Sequence, residues 1–331
     1  MNYIGSKKKL IPFLCEEIIK NTKLNSEIPI FCDLFAGTGI VGKEFKKLGY
    51  YVISNDIQYY SYIVNKHYIG NNKICEDTTK EIFNYLNSLP LVKGFIYDNY
   101  CMHDDVVRNY FTQYNAMKCD TIRQGIENLF ERKEIEYPIY YFLIASLLKA
   151  IDNRANTTST YSAYLKDFKP RAKKNIDFKP LEITKGLNGE VYNTDANKLI
   201  NYISGDILYL DPPYNGRQYG SCYHILETIA RYDKPSFRTE MTGIREITYN
   251  SDFSYKEKAK LALENLINNA NFKYIFLSYN SDGILSLDDI KNIFSKNGVY
   301  KIFEKEYQKY KSVKFDVGEL KVIEYLHYLK K

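Results

Sequence analysis

Residues 29–48 constrain the fold more than any other stretch of the chain. A short apolar run, Pro29-Ile30-Phe31-Cys32-Asp33-Leu34, leads directly into Phe35-Ala36-Gly37-Thr38-Gly39, and residues 40–48 then carry helical periodicity. A brief apolar run ended by a glycine-rich turn reads as a buried strand, so the segment predicts strand, tight turn and helix. The pattern repeats at once, with residues 51–55 reading as a second strand and 57–68 as a second helix. Strand, helix, strand, helix predicts parallel βαβ units and hence an α/β layer fold.

Residues 9–22 add a helix ahead of the first strand. Residues 74–150 contain no convincing strand; 76–89, 104–131 and 139–151 look helical, with Pro90 and Pro138 as breaks. Strand signals return at 190–193 and 206–210. A helix is expected over 221–232, a polar stretch without clear period over 233–254, then helix 255–270, strand 273–278 and helix 287–296. Two β-rich runs at 299–306 and 320–328 could form a terminal antiparallel pair. The chain therefore reads as one α/β domain, residues 1–75 and 186–331, split by a mainly helical and basic insertion at 76–185.

Composition narrows the function classes. The 331 residues are 45% hydrophobic and 26% charged, enough for a sizeable core. The longest mainly apolar run, 139–148, is about half of what spans a bilayer. The N-terminus has no apolar stretch of the secretory kind. Six Cys and four His stand at no metal-ligand spacing, which predicts neither a zinc site nor a disulfide framework, but the scattered reduced thiols of a cytoplasmic protein.

Net charge is a mild +6, but it is unevenly placed. Residues 166–185 hold seven basic side chains, Lys173 and Lys174 among them, against three acids. Interleaved with Phe168, Pro170, Phe178 and Pro180, this segment fits either a phosphate-contacting surface or a solvated loop. The 33 Tyr could stack on bases, although AT-rich codons explain their number as simply.

Gly37, Gly39 and Gly42 match G-x-G-x-x-G between strand and helix, and Asp56 follows at the end of the second strand. This fingerprint fits an adenosyl ligand held by close backbone approach and a carboxylate on its ribose. It suits NAD and S-adenosylmethionine alike. Asp33, just before the loop, tips the balance: a carboxylate there would repel a pyrophosphate and attract the ammonium of S-adenosylmethionine. Otherwise Asp33 caps the turn.

The apolar strand 206–210 runs straight into Asp211-Pro212-Pro213-Tyr214. The C-terminal end of such a strand faces the ligand crevice of a doubly wound sheet. Consecutive prolines stiffen the backbone and remove two donors, leaving the Asp211 carboxylate and the Pro212 carbonyl as acceptors beside an aromatic ring. That arrangement suits an exocyclic amine donating two hydrogen bonds. A plain strand-ending turn is the bland reading.

With this DPPY motif the chain resembles the N6-adenine DNA methyltransferases of the DNA adenine methylase type. The resemblance implies a Rossmann-like, mostly parallel seven-stranded sheet with a terminal antiparallel hairpin. It also implies S-adenosylmethionine as cofactor, no metal, and double-stranded DNA as partner. Asp211 and Pro212 would hold the target amine, with Pro213 rigidifying the motif and Tyr214 stacking on a flipped adenine. Tyr3 and Lys7, in Tyr3-Ile4-Gly5-Ser6-Lys7-Lys8, match the family's N-terminal motif; the loop with Gly37, Thr38 and Gly39 would bind the cofactor, and Asp56 its ribose. Asp195 would accept from the adenine amino group or cap the following helix, and Phe35 would line the pocket or belong to the core. Arg217 and Gln218, beside the motif, suit base flipping and phosphate contact, or lie in an ordinary surface loop. Residues 278–283 and 310–312 also look family-like.

The family's usual order makes the insertion the target-recognition region, with Lys173 and Lys174 as DNA contacts, but nothing in it spells a base code. A cytoplasmic enzyme encoded by a bacterium or phage follows, with a cognate restriction endonuclease as a further partner. Methylation of another amine, such as cytosine N4, RNA adenine or a protein amide, is the alternative. An NAD oxidoreductase and a DNA-binding protein with a decayed site rank below it. The pattern of Asp316, Glu319 and Lys321 is too tightly spaced for a nuclease.

Overall fold

A computed structural model of the chain describes residues 5–72, 74, 76–239, 241–246, 250–308 and 321–331. Its elements begin with α1 (Ile11–Asn21), β1 (Ile30–Asp33), α2 (Ile40–Lys47), β2 (Tyr51–Asn55), α3 (Tyr59–Tyr68), α4 (Glu76–Ser88), α5 (Phe95–Tyr100), α6 (Gln113–Glu131) and α7 (Tyr137–Asp152). There follow β3 (Glu190–Tyr192), α8 (Ala196–Leu199), β4 (Ser204–Leu210), α9 (Tyr219–Cys222), α10 (His224–Arg231), β5 (Phe237–Thr239) and β6 (Ile244–Arg245). The chain closes with α11 (Lys256–Asn269), β7 (Asn271–Asn280), α12 (Leu287–Ser295), β8 (Val299–Gln308) and β9 (Lys321–Lys330).

Two compact units divide these elements. One comprises Ser6–Ile57, Thr184–Tyr219 and Tyr249–Lys331. It holds a seven-stranded sheet in the order β3-β2-β1-β4-β7-β9-β8. The first five strands in that order are parallel, and β9 runs antiparallel to both β7 and β8. This is the Rossmann-like sheet with a terminal antiparallel hairpin that the motifs imply. Its strands read as continuous apolar runs because helices cover them; Leu263, Leu266 and Ile267 of α11 and Ile290, Ile293 and Phe294 of α12 share a buried cluster with Leu208, Ile275 and Leu277.

The sheet order places a topological switch between β1 and β4, since the chain leaves β1 towards β2 and β3 and returns on its other side at β4. Ligands of open α/β sheets bind outside the carboxyl ends of the strands at this point. Buried Asn55 fastens those ends. Its Nδ2 donates to the carbonyls of Leu34 and Thr194, both at 3.1 Å, and its Oδ1 accepts from the Thr194 N–H. Leu34 N donates to Tyr209 O at 3.2 Å and Ala36 N to Asn55 O at 2.9 Å. The loops that leave β1, β2, β3 and β4 are thereby held side by side.

The other unit comprises Met1–Gly5, Gln58–Ile183 and Gly220–Thr248. It contains α3 to α7, α10 and the short antiparallel pair β5–β6. The helical expectation over 104–112 is corrected here. Asp104 has a φ of 43°, and His103 and Val106 pair as an isolated bridge. The Thr112 hydroxyl accepts from Asn115 N at 3.2 Å, so α6 starts only at Gln113. Buried Asn109 and Tyr110 are spent on the carbonyls of Lys166 and Tyr161, both at 2.8 Å, across long sequence separations that no helical period reveals. Helix α5 was not expected; the Asp120 carboxylate caps it from afar by accepting from Ile96 N and Tyr97 N. The helix expected over 221–232 is broken at Tyr223, and the polar stretch before 254 contains β5 and β6.

Among the described residues no helix is long and apolar enough to cross a membrane.

Gly298 tests how tightly the sheet edge is built. It leads into β8 with a φ of 153°, and a Cβ there would lie 2.2 Å from the Lys330 carbonyl oxygen. Gly298→Ala is expected to cost about 1–3 kcal/mol in denaturant unfolding; unchanged stability would show that this turn can relax.

Candidate active site

The C-terminal ends of the parallel strands gather the chemically distinctive residues, because each strand stops at that edge and its loop carries the next motif. After β1, Gly37 and Gly39 adopt φ of 51° and 72°, left-handed values that cost glycine little, and Gly39 caps α2. Half-buried Thr38 lies between them. Asp56, after β2, accepts the Gly37 N–H at 2.8 Å, so the acid that spacing suggested for a ribose also straps the glycine loop.

Asp33 is 1% exposed and accepts from Gly42 N at 3.1 Å. Burial pushes its carboxyl up to about 8; the Gly42 N–H pulls it down, and the carboxylates of Asp211 and Asp56 push it further up. No side-chain cation is among these influences. A buried carboxylate with two more close enough to act on it makes an environment for a cationic ligand and a poor one for a pyrophosphate.

After β4 come Asp211, Pro212, Pro213 and Tyr214. Asp211 Oδ1 lies 3.0 Å from Lys7 Nζ, and Lys7 Nζ lies 2.7 Å from Glu324 Oε1. Lys7 is 4% exposed, Glu324 fully buried, and Asp211 19% exposed. Burial pulls Lys7 down, but the two carboxylates outweigh it and hold the ammonium well above its ordinary value. Asp211 is pushed up to about 6 by burial, with Lys7 pulling down and Glu324 pushing up. Removing one member of such a buried group typically costs about 3–5 kcal/mol. The Lys7 ammonium also stands 5.7 Å from the centre of the Tyr214 ring. Tyr214 meets Tyr279 edge-on at 6.2 Å, and its carbonyl accepts from Ile284 N at 2.9 Å.

The remaining expected residues are placed as follows. Phe35 packs edge-on against Phe253 at 5.1 Å and joins the core margin. Asp195 caps α8, accepting from Lys198 N at 3.1 Å. Arg217 is exposed; Gln218 is bonded both ways to the Ser251 backbone and braces its loop. Lys173 and Lys174 are exposed in the other compact unit, on a segment without regular structure anchored by buried Ala172 and Phe178. Tyr3, residues 310–312, Asp316 and Glu319 lie outside the described residues.

Sequence reasoning passed over Glu324, and it gave Ser278 and Tyr279 no chemical role. The signal for Glu324 was a lone acid in the apolar run Val322-Ile323-Glu324-Tyr325-Leu326. The Ser278 hydroxyl donates to Glu324 Oε1.

The Asp33 carboxyl holds its proton far more tightly folded than unfolded, where it titrates near 3.9. Ionising it therefore costs stability progressively as pH rises from about 4 through about 8. Asp33→Asn removes that cost, so its melting-temperature gain over the unliganded parent should grow between about pH 5 and about pH 8. An equal gain at both would mean that Asp33 is not strained.

Known proteins share this sequence over most of its length. The family model of the D12 class N6 adenine-specific DNA methyltransferases matches residues 3–293. The type II methyltransferase M.NlaIII of Neisseria lactamica is 44% identical, over all of this chain and 99% of its own length. M.FokI of Planomicrobium okeanokoites is 39% identical over all of this chain, which spans about half (53%) of that relative. M.CviAII of Paramecium bursaria Chlorella virus 1 is 35% identical over 99% of this chain and 98% of its own. With its glycine loop and DPPY motif on one sheet edge, this chain belongs to the D12 class N6 adenine-specific DNA methyltransferases.

Proposed function

We propose that the chain moves the methyl group of S-adenosylmethionine to the N6 amine of an adenine flipped out of duplex DNA, as the modification half of a type II restriction-modification system. The observation that carries the cofactor is Asp33, buried with the carboxylates of Asp211 and Asp56 acting on it. S-adenosylmethionine supplies a methyl group activated on a sulfonium. Asp33 attracts its ammonium, Gly37, Thr38 and Gly39 let the backbone approach closely, and Asp56 serves the ribose. Asp195 and Phe35 face the adenine portion; Asp195 keeps acceptor capacity beyond the one N–H that it caps.

Asp211 and the Pro212 carbonyl accept the two hydrogens of the target amine and draw its lone pair out of conjugation. Pro213 holds the pair rigid, and Tyr214 stacks on the base. The N6 atom is out of reach inside a duplex, so the base must leave the stack. Arg217 and its loop border the motif and suit contact with the displaced backbone. Catalysis rests on positioning and electrostatics. The family's specificity for adenine N6 removes the oxidoreductase and other-amine alternatives. The helical and basic region 76–185 recognises the target, a cognate endonuclease cuts the same site, and the enzyme works in the cytoplasm.

Two experiments test this reading. Asp211→Ala should lower transfer to duplex DNA by at least about a hundredfold while S-adenosylmethionine binding survives; full activity would sink the mechanism. Replacing Lys173 and Lys174 together by Ala should flatten the log–log salt dependence of DNA binding by about 2; an unchanged slope would remove the segment from the interface.

A further inference from the structure

Lys7 stands between two carboxylates, and one ammonium cannot neutralise both. The distances divide it unequally, 2.7 Å to Glu324 and 3.0 Å to Asp211. Glu324 Oε1 also accepts from the Ser278 hydroxyl, whereas Asp211 has Lys7 as its one side-chain hydrogen-bond partner among the described residues. Both contacts of Glu324 are made by Oε1; its Oε2 has no hydrogen-bond partner among the described residues. Of the two acids only Asp211 retains exposure, at the end of β4.

We propose that Glu324 is the counterion of Lys7, and that by engaging the ammonium it leaves the Asp211 carboxylate only partly neutralised and able to accept from the target amine. Glu324 is a positioning residue, acting through Lys7 without touching substrate. Without it, Lys7 closes on Asp211 as a neutral pair and weakens the acceptor that orients the amine. The inference rests on the role proposed for Asp211. The groups acting on Asp211, Lys7 or both are Glu324, Asp33, Tyr209 and Tyr214, so a change at Glu324 is read against a fixed surrounding.

The test is the isostere Glu324→Gln, assayed with S-adenosylmethionine and unmethylated duplex DNA. In the parent, kcat should rise as Asp211 ionises near pH 6. In E324Q, kcat should fall about tenfold or more. KM for DNA and the Kd for S-adenosylmethionine should be little changed. The acidic limb of the pH–kcat profile should move to lower pH, because the carboxylate that raises Asp211 is gone. Glu324→Asp keeps the charge, so its limb should stay at the parent position even where kcat falls. An E324Q enzyme with parental kcat and limb overturns the proposal. Where E324Q does not fold, E324D decides: a limb displaced to lower pH overturns it, and an undisplaced one supports it. A parent that binds S-adenosylmethionine yet leaves adenine unmethylated would fail the broader reading, whereas an active parent with an unaffected E324Q fails this inference alone.

Discussion

The Lys7 ammonium joins three distant parts of the chain: the 3-10 turn at Lys7–Lys9, the end of β4 through Asp211, and β9 through Glu324. Taking these charges out of water is expensive, and their mutual attraction offsets the cost only when all are present in good geometry. Strand β9 lies inside the sheet between β7 and β8, so Glu324 is paired on both sides. Strand β9 carries a carboxylate to the register position opposite Asn280, at the same edge where β1 and β4 end. A terminal hairpin placed antiparallel beside β7 is what lets the start of β9 meet the end of β7 there.

Around that trio the sheet edge is built against its own stability. Asp56 and Asp211 lie close enough to Asp33 to raise its proton affinity, and Asp33 is held in a dry environment with a backbone N–H for relief. A fold optimised for stability alone would place an apolar side chain at Asp33. A cationic ligand bound beside Asp33 would offset part of that cost. Asn55 supplies the rigidity this requires, since it clamps the carbonyls of two neighbouring loops.

The second compact unit shows a different economy. Many of its buried polar groups serve internal ties, such as Asp120 capping α5 and Glu227 accepting from Tyr59 N and Tyr60 N at the start of α3. The segment with Lys173 and Lys174 has no regular hydrogen-bond ladder; Asn115 fastens it by donating to the Lys174 carbonyl at 3.0 Å. The ammonium groups of Lys173 and Lys174 are left exposed while the backbone beneath them is pinned.

The sequence alone determined the strand, glycine loop and helix at residues 30–47, the βαβ order, the strand that delivers Asp211, and the terminal antiparallel pair. These are legible because apolar period, glycine and proline act over a few residues. The break at 104–112 and the existence of α5 were not legible, because Lys166, Tyr161 and Asp120 act through hydrogen bonds at long sequence separation, and the local Thr112 cap marks a helix start only once the preceding turn is known. Asp195 caps α8, an interaction that spacing permits but does not require, and the bond leaves its other acceptor capacity open. Only the tertiary structure decided that Lys7, Asp211 and Glu324 share one buried charge cluster. Lys7 and Glu324 are 317 residues apart, and what brings them together is the pairing of β9 with β7, a long-range contact that no local pattern encodes.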